Sequence, residues 1–373
     1  MVHSYNKVII DLSALAYNLS QVKKLVGAKT KIMGVVKSDA YGHGMVPVSR
    51  ALEENGVDSL GVAYLHEALE LRENGIRLPI VILCGIKTGE DARQVVDNHF
   101  TPVLHDLSQA ETLAVVCDRI GKRVPVHLKV DTGMGRLGIM DSDLEPLMRK
   151  IQGLKPLYLE ALTSHLSSAD ESNRVFTENQ IKRFRKAVET GQRMGLDLPL
   201  NNLANSAGIM AYKNSHFDMV RPGIMLYGGL PSPQFRSPIN LKPAMHFKGR
   251  ILQVRGLPDQ TPISYGRTYY TKGLQNIAVL SAGYGDGLPR MLSNRGMVLV
   301  KGQMRDIVGR ICMNMTMTNV SGIHGVTAGL EVVFLGKQGR EIITGDQLAD
   351  WGDTISYEIF CSLGQKNVRE FVQ

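Results

Sequence analysis

The sequence predicts an α/β protein: a (β/α)8 TIM-type barrel followed by a mainly β C-terminal domain. Eight short apolar or β-branched runs in the first part of the chain alternate with amphipathic stretches, the pattern of parallel β/α units. Several of those runs end on unusual polar residues, where a barrel keeps its chemistry. After Tyr227 the texture changes to a Gly-, Pro- and Ser-rich break and then to short β-prone runs separated by turn residues. The expected domains are residues 1–235, the barrel, and residues 236–373, the β domain. A doubly wound open sheet is the alternative for the first domain, because runs such as 101–104 are weak strands.

Leu12, Leu15, Leu19, Val22 and Val26 recur at helical spacing, so residues 12–26 form a helix, with Asp11 or Ser13 as its cap and Gly27 as its stop. Barrel strands follow at 32–36, 58–63, 79–84, 101–104, 124–130, 157–165, 198–204 and 217–221. Helix-like stretches such as 47–55, 64–74, 107–120 and 174–194 fill the gaps. Residues 228–243 read as a linker. Beyond it, strands are expected at 247–254, 276–281, 297–300, 306–311, 315–320, 331–335 and 340–343, with short helices at 346–350 and 354–360.

A chain of 373 residues suggests about two domains. No apolar run approaches the roughly 20 residues that a membrane-spanning helix needs. Residues 1–11 lack the charged-then-apolar layout of a signal peptide, so a cytoplasmic location is expected. Cys84, Cys117, Cys312 and Cys361 are far apart and form no C-x-x-C pair, which gives no support to a metal site or a redox motif. The net charge of +8 raises the possibility of nucleic acid or acidic small molecules. The densest basic run, Lys182-Arg183-Phe184-Arg185-Lys186, lies in an expected helix and reads as a solvated face. No nucleic-acid motif is present, so a small anionic substrate with an anionic cofactor is the better match.

The chemistry-bearing residues start with Lys37, at the end of the run Ile32–Val36. Partial desolvation there disfavours the charged amine and frees it to attack a carbonyl. In Val126-His127-Leu128-Lys129-Val130-Asp131, alternation puts His127, Lys129 and Asp131 on the barrel-interior face, where buried charges need partners. Arg136 follows in the Gly-rich loop. The next strands end at Thr163-Ser164-His165, at Leu203-Ala204-Asn205-Ser206-Ala207 and at Val220-Arg221-Pro222-Gly223-Ile224. Barrels often bind phosphate at the last two of these loops, and Ser206 with the N–H groups of Gly223 and Ile224 suits that role.

The string Val35-Val36-Lys37-Ser38-Asp39-Ala40-Tyr41-Gly42-His43-Gly44 resembles the cofactor segment of alanine racemases, which hold pyridoxal 5′-phosphate (PLP) as a Schiff base. So do the 126–138 string, Ile263-Ser264-Tyr265-Gly266-Arg267, Gly283–Arg290, Gly309–Asn314 and Thr354–Glu358. The resemblance runs from Val8 to Tyr357, in family order. It implies that Lys37 binds PLP and acts as one base, and that Tyr265 is the second. It implies further that Tyr41 and Tyr357 touch the phosphate, that Asn205 and Ser206 belong to the cofactor pocket, and that Arg221 meets the pyridine nitrogen. His165 would link Tyr265 to Arg221. Arg136 would hold the substrate carboxylate near Met313, and Lys129 would carry a carbamate that steadies Arg136. An unmodified Lys129 paired with Asp131 is the simpler alternative. Tyr284, Arg290 and Arg310 would line the access corridor.

The implied activity is interconversion of L- and D-alanine, supplying D-alanine for peptidoglycan. The implied assembly is a homodimer in which each β domain completes the other subunit's site. Asn314 stands where the family usually has aspartate; Ser38 and Gly285 replace commoner alanines. The alternatives are a racemase of another small amino acid such as serine, a PLP-dependent decarboxylase, and a non-enzymatic PLP-binding homeostasis protein.

Overall fold

Strand β1 (Lys7–Asp11) leads straight into helix α1 (Leu12–Val26). The computed structural model describes residues 4–232, 235 and 237–373, so the linker and the expected boundary at 235/236 lie partly outside the described residues. Asp11 is the helix cap, accepting from the Ala14 N–H at 3.0 Å, and Gly27 ends the helix at φ +77°. Parallel strands follow: β2 (Lys31–Val35), β3 (Ser59–Val62), β4 (Ile80–Ile82), β5 (Thr101–Leu104), β6 (Val124–Lys129), β7 (Leu157–Thr163) and β8 (Met219–Val220). From β2 to β7 they pair in sequence order, and β8 pairs with β2. Asn202 closes the ring by bridging to Thr163 on one side and Met219 on the other, both in parallel.

The barrel is therefore present with eight positions, but the strand expected at 198–204 shrinks to a single bridging residue. Asn202 keeps the ladder there through its N–H to the Leu162 carbonyl and its carbonyl from the Ser164 N–H, both at 3.0 Å, and side chains add further bonds. Asn201 Oδ1 accepts from the Leu162 N–H at 3.0 Å, and Asn202 Nδ2 donates to the Leu200 carbonyl at 2.8 Å. Leu60, Val62, Ile80, Ile82, Val126 and Leu128 are fully buried under the surrounding helices. Met33, Val81, Val103 and Met219 form a separate apolar plug inside the ring.

The covering helices are α3 (Met45–Glu54), α4 (Leu65–Glu73), α5 (Gly89–Asp97), α6 (Leu107–Ile120), α7 (Asp141–Gly153), α8 (Val175–Arg193) and α9 (Ser206–Ala211). A short turn, α2 (Lys37–Tyr41), precedes them and winds the other way.

The second part of the chain builds β9 (Met245–Leu257), β10 (Pro262–Ile263), β11 (Tyr269–Tyr270), β12 (Gln275–Leu280), β13 (Met297–Val300), β14 (Gln303–Asp306), β15 (Thr316–Asn319), β16 (Glu331–Gln338) and β17 (Glu341–Ile343). Helices α10 (Gly345–Trp351) and α11 (Ser356–Lys366) and strand β18 (Arg369–Val372) follow. Residues 306–311, expected as a strand, are one only at Asp306. Ile307 makes a lone bridge to Thr318, and Gly309 at φ +75° turns the chain away. The long β9 organises the sheet, pairing with β1, β12 and β16. Strand β1 lies between β9 and β18, so the first strand of the chain belongs to the second sheet.

Helix α11 fastens the two parts together. Gly364 rests on the Gly42 carbonyl, and a Cβ at either glycine would overlap backbone of the other segment. Gly364→Ala is expected to cost about 1–3 kcal/mol by overpacking, read as a lower urea midpoint at unchanged slope. An unchanged midpoint would contradict this close approach.

Candidate active site

Beyond the end of β2 the chain enters α2, and Ser38, Asp39, Ala40 and Tyr41 all have φ between +53° and +56°. Such a left-handed turn costs L-residues roughly 1–2 kcal/mol each, so its surroundings must impose it. Glu67 Oε1 accepts from the Ser38 N–H at 2.6 Å, while its other oxygen takes the Ala63 and Tyr64 N–H groups at 2.7 and 3.1 Å. Asp39 Oδ1 accepts from the Met45 N–H at 2.7 Å, and its second oxygen pairs with Arg369 of β18. Arg369 also donates to the Gly42 carbonyl at 3.2 Å. The turn fixes Lys37 at the barrel mouth and sends Tyr41 inward, where it is buried.

Cations crowd this mouth. Burial lowers the Lys37 amine below its ordinary value, and the charge of Arg136 lowers it further. Burial pushes Lys129 well down, helped by Arg221 and Arg136. Arg221, only 5% exposed, is pushed down to about 10 by burial. It remains charged near neutral pH and is held from several sides. Its guanidinium donates to Asn202 Oδ1, to Thr163 Oγ1 at 3.3 Å and to the Ser164 and Leu203 carbonyls at 2.5 and 3.3 Å. It also faces His165 Nδ1 at 3.3 Å. Burial and then Arg221 hold the His165 imidazole well below its ordinary value, so it is neutral. A guanidinium only donates, so Nδ1 is the acceptor and the proton sits on Nε2.

The alternative pairing of Lys129 with Asp131 is not formed: no salt bridge joins them. The Asp131 carboxylate turns to the following loop and accepts from the N–H groups of Gly133, Met134 and Gly135 at 2.8 to 3.2 Å. Its carboxyl lies below the usual value because these amides outweigh burial, which acts the other way. Ile139 then bonds back to the Lys129 carbonyl at 2.9 Å, closing a lasso that carries Arg136.

A cup lies beside the amines. Ser206 Oγ accepts from the Gly223 and Met225 N–H groups at 3.0 and 3.4 Å, and Asn205 Oδ1 caps the same turn through the Gly208 N–H at 3.0 Å. Tyr41 Oη lies so close to Gly223 that any side chain there would displace it. Ile224 is fully buried behind Gly223, and the Tyr357 ring of α11 lies 5.7 Å from the Tyr41 ring, tilted 45° to it. Hydroxyls and amides gathered at the loops after the last barrel strands suit a phosphate.

The β-domain motifs form a second cluster. Ser264 Oγ donates to the Arg310 carbonyl at 2.5 Å, the Tyr284 N–H to the Cys312 carbonyl at 3.0 Å and the Gly285 N–H to the Met313 carbonyl at 2.7 Å. Asn314 Nδ2 donates to Asp286 Oδ2 at 3.2 Å. Tyr265 is 69% exposed and Met313 59%, and the pocket that Tyr265 lines is walled by β-domain residues alone. Within one chain, then, Lys37, Tyr41, Lys129, His165, Asn205, Ser206, Arg221, Gly223, Ile224 and Tyr357 converge at the barrel mouth. Arg136 lies exposed at its edge, and Tyr265, Met313, Tyr284, Arg290 and Arg310 gather on the β domain.

Sequence reading missed the groups that hold these residues in place. Glu67 was legible as an acid in the first turn of a helix. Asn202 and Arg369 gave no local signal.

A family model for the N-terminal domain of alanine racemase matches residues 10–231, and one for its C-terminal domain matches residues 244–371. An alanine racemase of Syntrophobacter fumaroxidans is 43% identical over 371 residues, covering 100% of this chain and 98% of the relative. The crystal structure of alanine racemase from the D-cycloserine producer Streptomyces lavendulae superposes with a TM-score of 0.94 at 32% identity, covering 100% of this chain and 98% of that one. The Bartonella henselae alanine racemase, solved with covalently bound pyridoxal phosphate, superposes with a TM-score of 0.87 at 28% identity, covering 98% and 99%.

Asp131 stabilises the Arg136 loop only as the carboxylate. Because its folded value is depressed, that contribution is present above the unfolded value of 3.8 and is lost as pH falls through the folded one. Urea unfolding from pH 7 to pH 3 should show wild type ahead of Asp131→Asn by about 1–2 kcal/mol at pH 7, with the gap closing below about pH 4. A gap independent of pH would contradict the assignment.

Proposed function

The chain belongs to the alanine racemase family, and from that premise we propose that it interconverts L- and D-alanine by a two-base mechanism on PLP. The observation that carries the reading is a desolvated Lys37 sharing one barrel mouth with a guanidinium, Arg221, and a hydroxyl-and-amide cup. Those groups fit the cofactor. Ser206, Tyr41, Tyr357 and the amides of Gly223 and Ile224 would take its phosphate, in a cup that a Cβ at Gly223 would fill. Arg221 would donate to its ring nitrogen, and Lys37 would anchor it.

PLP, when bound, supplies the electron sink that makes the substrate Cα–H acidic. This chain's residues do the rest. Arg221 has no acceptor, so it keeps the ring nitrogen unprotonated and moderates that sink. Arg136 binds the substrate carboxylate, with Met313 of the partner subunit alongside. Lys37 Nζ moves the proton on one face of Cα, and Tyr265 of the partner subunit moves it on the other. His165, with its proton on Nε2, donates to that tyrosine's oxygen and steadies it as a base. Burial and the charges of Arg221 and Arg136 press the Lys129 amine toward its neutral form. Carbon dioxide adds to the neutral amine with release of one proton to solvent, and the resulting carbamate would hold Arg136 by charge.

The dimer is supported by exposure. Arg136, Tyr265 and Met313 are open to solvent in the single chain, although the reaction needs them around one small substrate. Tyr284, Arg290 and Arg310 would form the way in. A cytoplasmic role supplying D-alanine for peptidoglycan completes the reading.

Borohydride treatment of Lys37→Ala should leave no cofactor fixed to the protein; fixed cofactor would contradict the anchor. Tyr265→Ala should slow Cα–H exchange of L-alanine by at least about 100-fold while sparing that of D-alanine. Equal loss for both enantiomers would contradict the two-face assignment.

A further inference from the structure

The opposite mouth of the barrel, at the N-terminal ends of the strands, opens into a cavity of about 840 Å³ that the racemisation chemistry does not use. Its wall holds polar groups with nothing to bond. His127 is 1% exposed, and neither ring nitrogen has a hydrogen-bond partner among the described residues; Nε2 lies 3.5 Å from Glu160 Oε2. Ser59 Oγ, also buried, and Arg72 Nε are unpartnered too. A buried polar group left unbonded is costly, so a ligand that bonds these groups gains accordingly. Val81, Leu200 and Met219 give the cavity an apolar floor.

The charges around it are arranged in two sets. Lys31 and Asp97 are neutralised by Asp58 and Arg93, at 2.8 and 2.6 Å. Arg72 and Arg77, before β4, make no salt bridge among the described residues; the nearby Glu53 carboxylate is taken up by the Arg77 and Leu78 N–H groups at 3.0 and 3.1 Å. Arg72 is aimed by bonds to the Ile76 and Leu78 carbonyls at 2.6 and 3.4 Å. Glu160, with His127 beside it, stands on β7. From β4 to β7 is three strand steps of about 4.8 Å around the ring, which leaves a cationic side and an anionic side facing across the cavity.

We propose that this mouth is a second ligand site, for a zwitterion of dipeptide size. The carboxylate lies against Arg72 and Arg77, the ammonium against Glu160 and His127, and an apolar side chain on Val81, Leu200 and Met219. A free α-amino acid holds its two charges only about 3 Å apart, so a longer zwitterion meets both walls with less reach from their side chains. An extended dipeptide spans about 7 Å, and the arginine and glutamate side chains cover the remainder. The site is independent of the catalytic mouth and of the reaction assigned to it.

The test is isothermal titration calorimetry of the PLP-loaded protein with glycyl-L-leucine, with L-leucine as the control. Saturable binding of one peptide per chain is expected, at least tenfold tighter than L-leucine and not displaced by excess D-alanine. Glu160→Gln and Arg77→Ala, both at partly or fully exposed positions, should each weaken it at least tenfold. No saturable heat, equal affinity for L-leucine, undiminished binding in both variants, or displacement by D-alanine would each overturn the proposal.

Discussion

The site depends on a left-handed turn made of four L-residues. Ser38 to Tyr41 occupy a conformation that costs roughly 1–2 kcal/mol per residue, so no local preference of this segment explains it. It is imposed by Glu67 from the next β/α unit, by Arg369 from the last strand and by Gly364 pressing on Gly42. The reward is positional. A right-handed turn would carry Tyr41 around the opposite side of the strand end, away from Gly223. The two ends of the chain therefore act together on the lysine: β1 and β18 share a register, and β18 supplies the arginine that grips the turn.

The same mouth gathers Lys37, Lys129, Arg136 and Arg221, while the nearby carboxylates of Glu67, Asp39 and Asp131 are held by backbone N–H groups and by Arg369. In a low-dielectric site such crowding is relieved by releasing protons from the amines, since guanidinium groups keep theirs. Arg221 is the fixed charge, bound to carbonyls and amide oxygens that do not titrate. Burial and the neighbouring guanidinium charges press both lysines toward the neutral, nucleophilic form. A neutral amine is what both proposed roles require: proton transfer at Lys37 and carbamate formation at Lys129. The Asp131 carboxylate, which would have kept Lys129 charged, is occupied with the loop amides instead.

Much of this was legible in the sequence, because a polar residue ending an apolar run stands out. Lys37, Lys129, His165, Ser206 and Arg221 were found on that ground, and the alternation of β6 gave the facing of Lys129 correctly. What stayed hidden was non-local. Asn201 and Asn202 bond the neighbouring backbone with their side chains as well, at a place where the strand that composition suggested is reduced to one bridging residue. The pairing of β1 with β18 joins residues more than 350 positions apart, and nothing near either strand announces it. The loop amides that hold Asp131 were not foreseen, because alternation says which side a residue faces and not which donors reach it first.

The most direct test of the central claim is proton NMR of L-alanine in D2O with the PLP-loaded protein, followed by chiral analysis of the product. The Cα–H signal should disappear and D-alanine should accumulate towards equality with L-alanine. Exchange that leaves only L-alanine would contradict that claim, because the chemistry would then be confined to one face of the substrate.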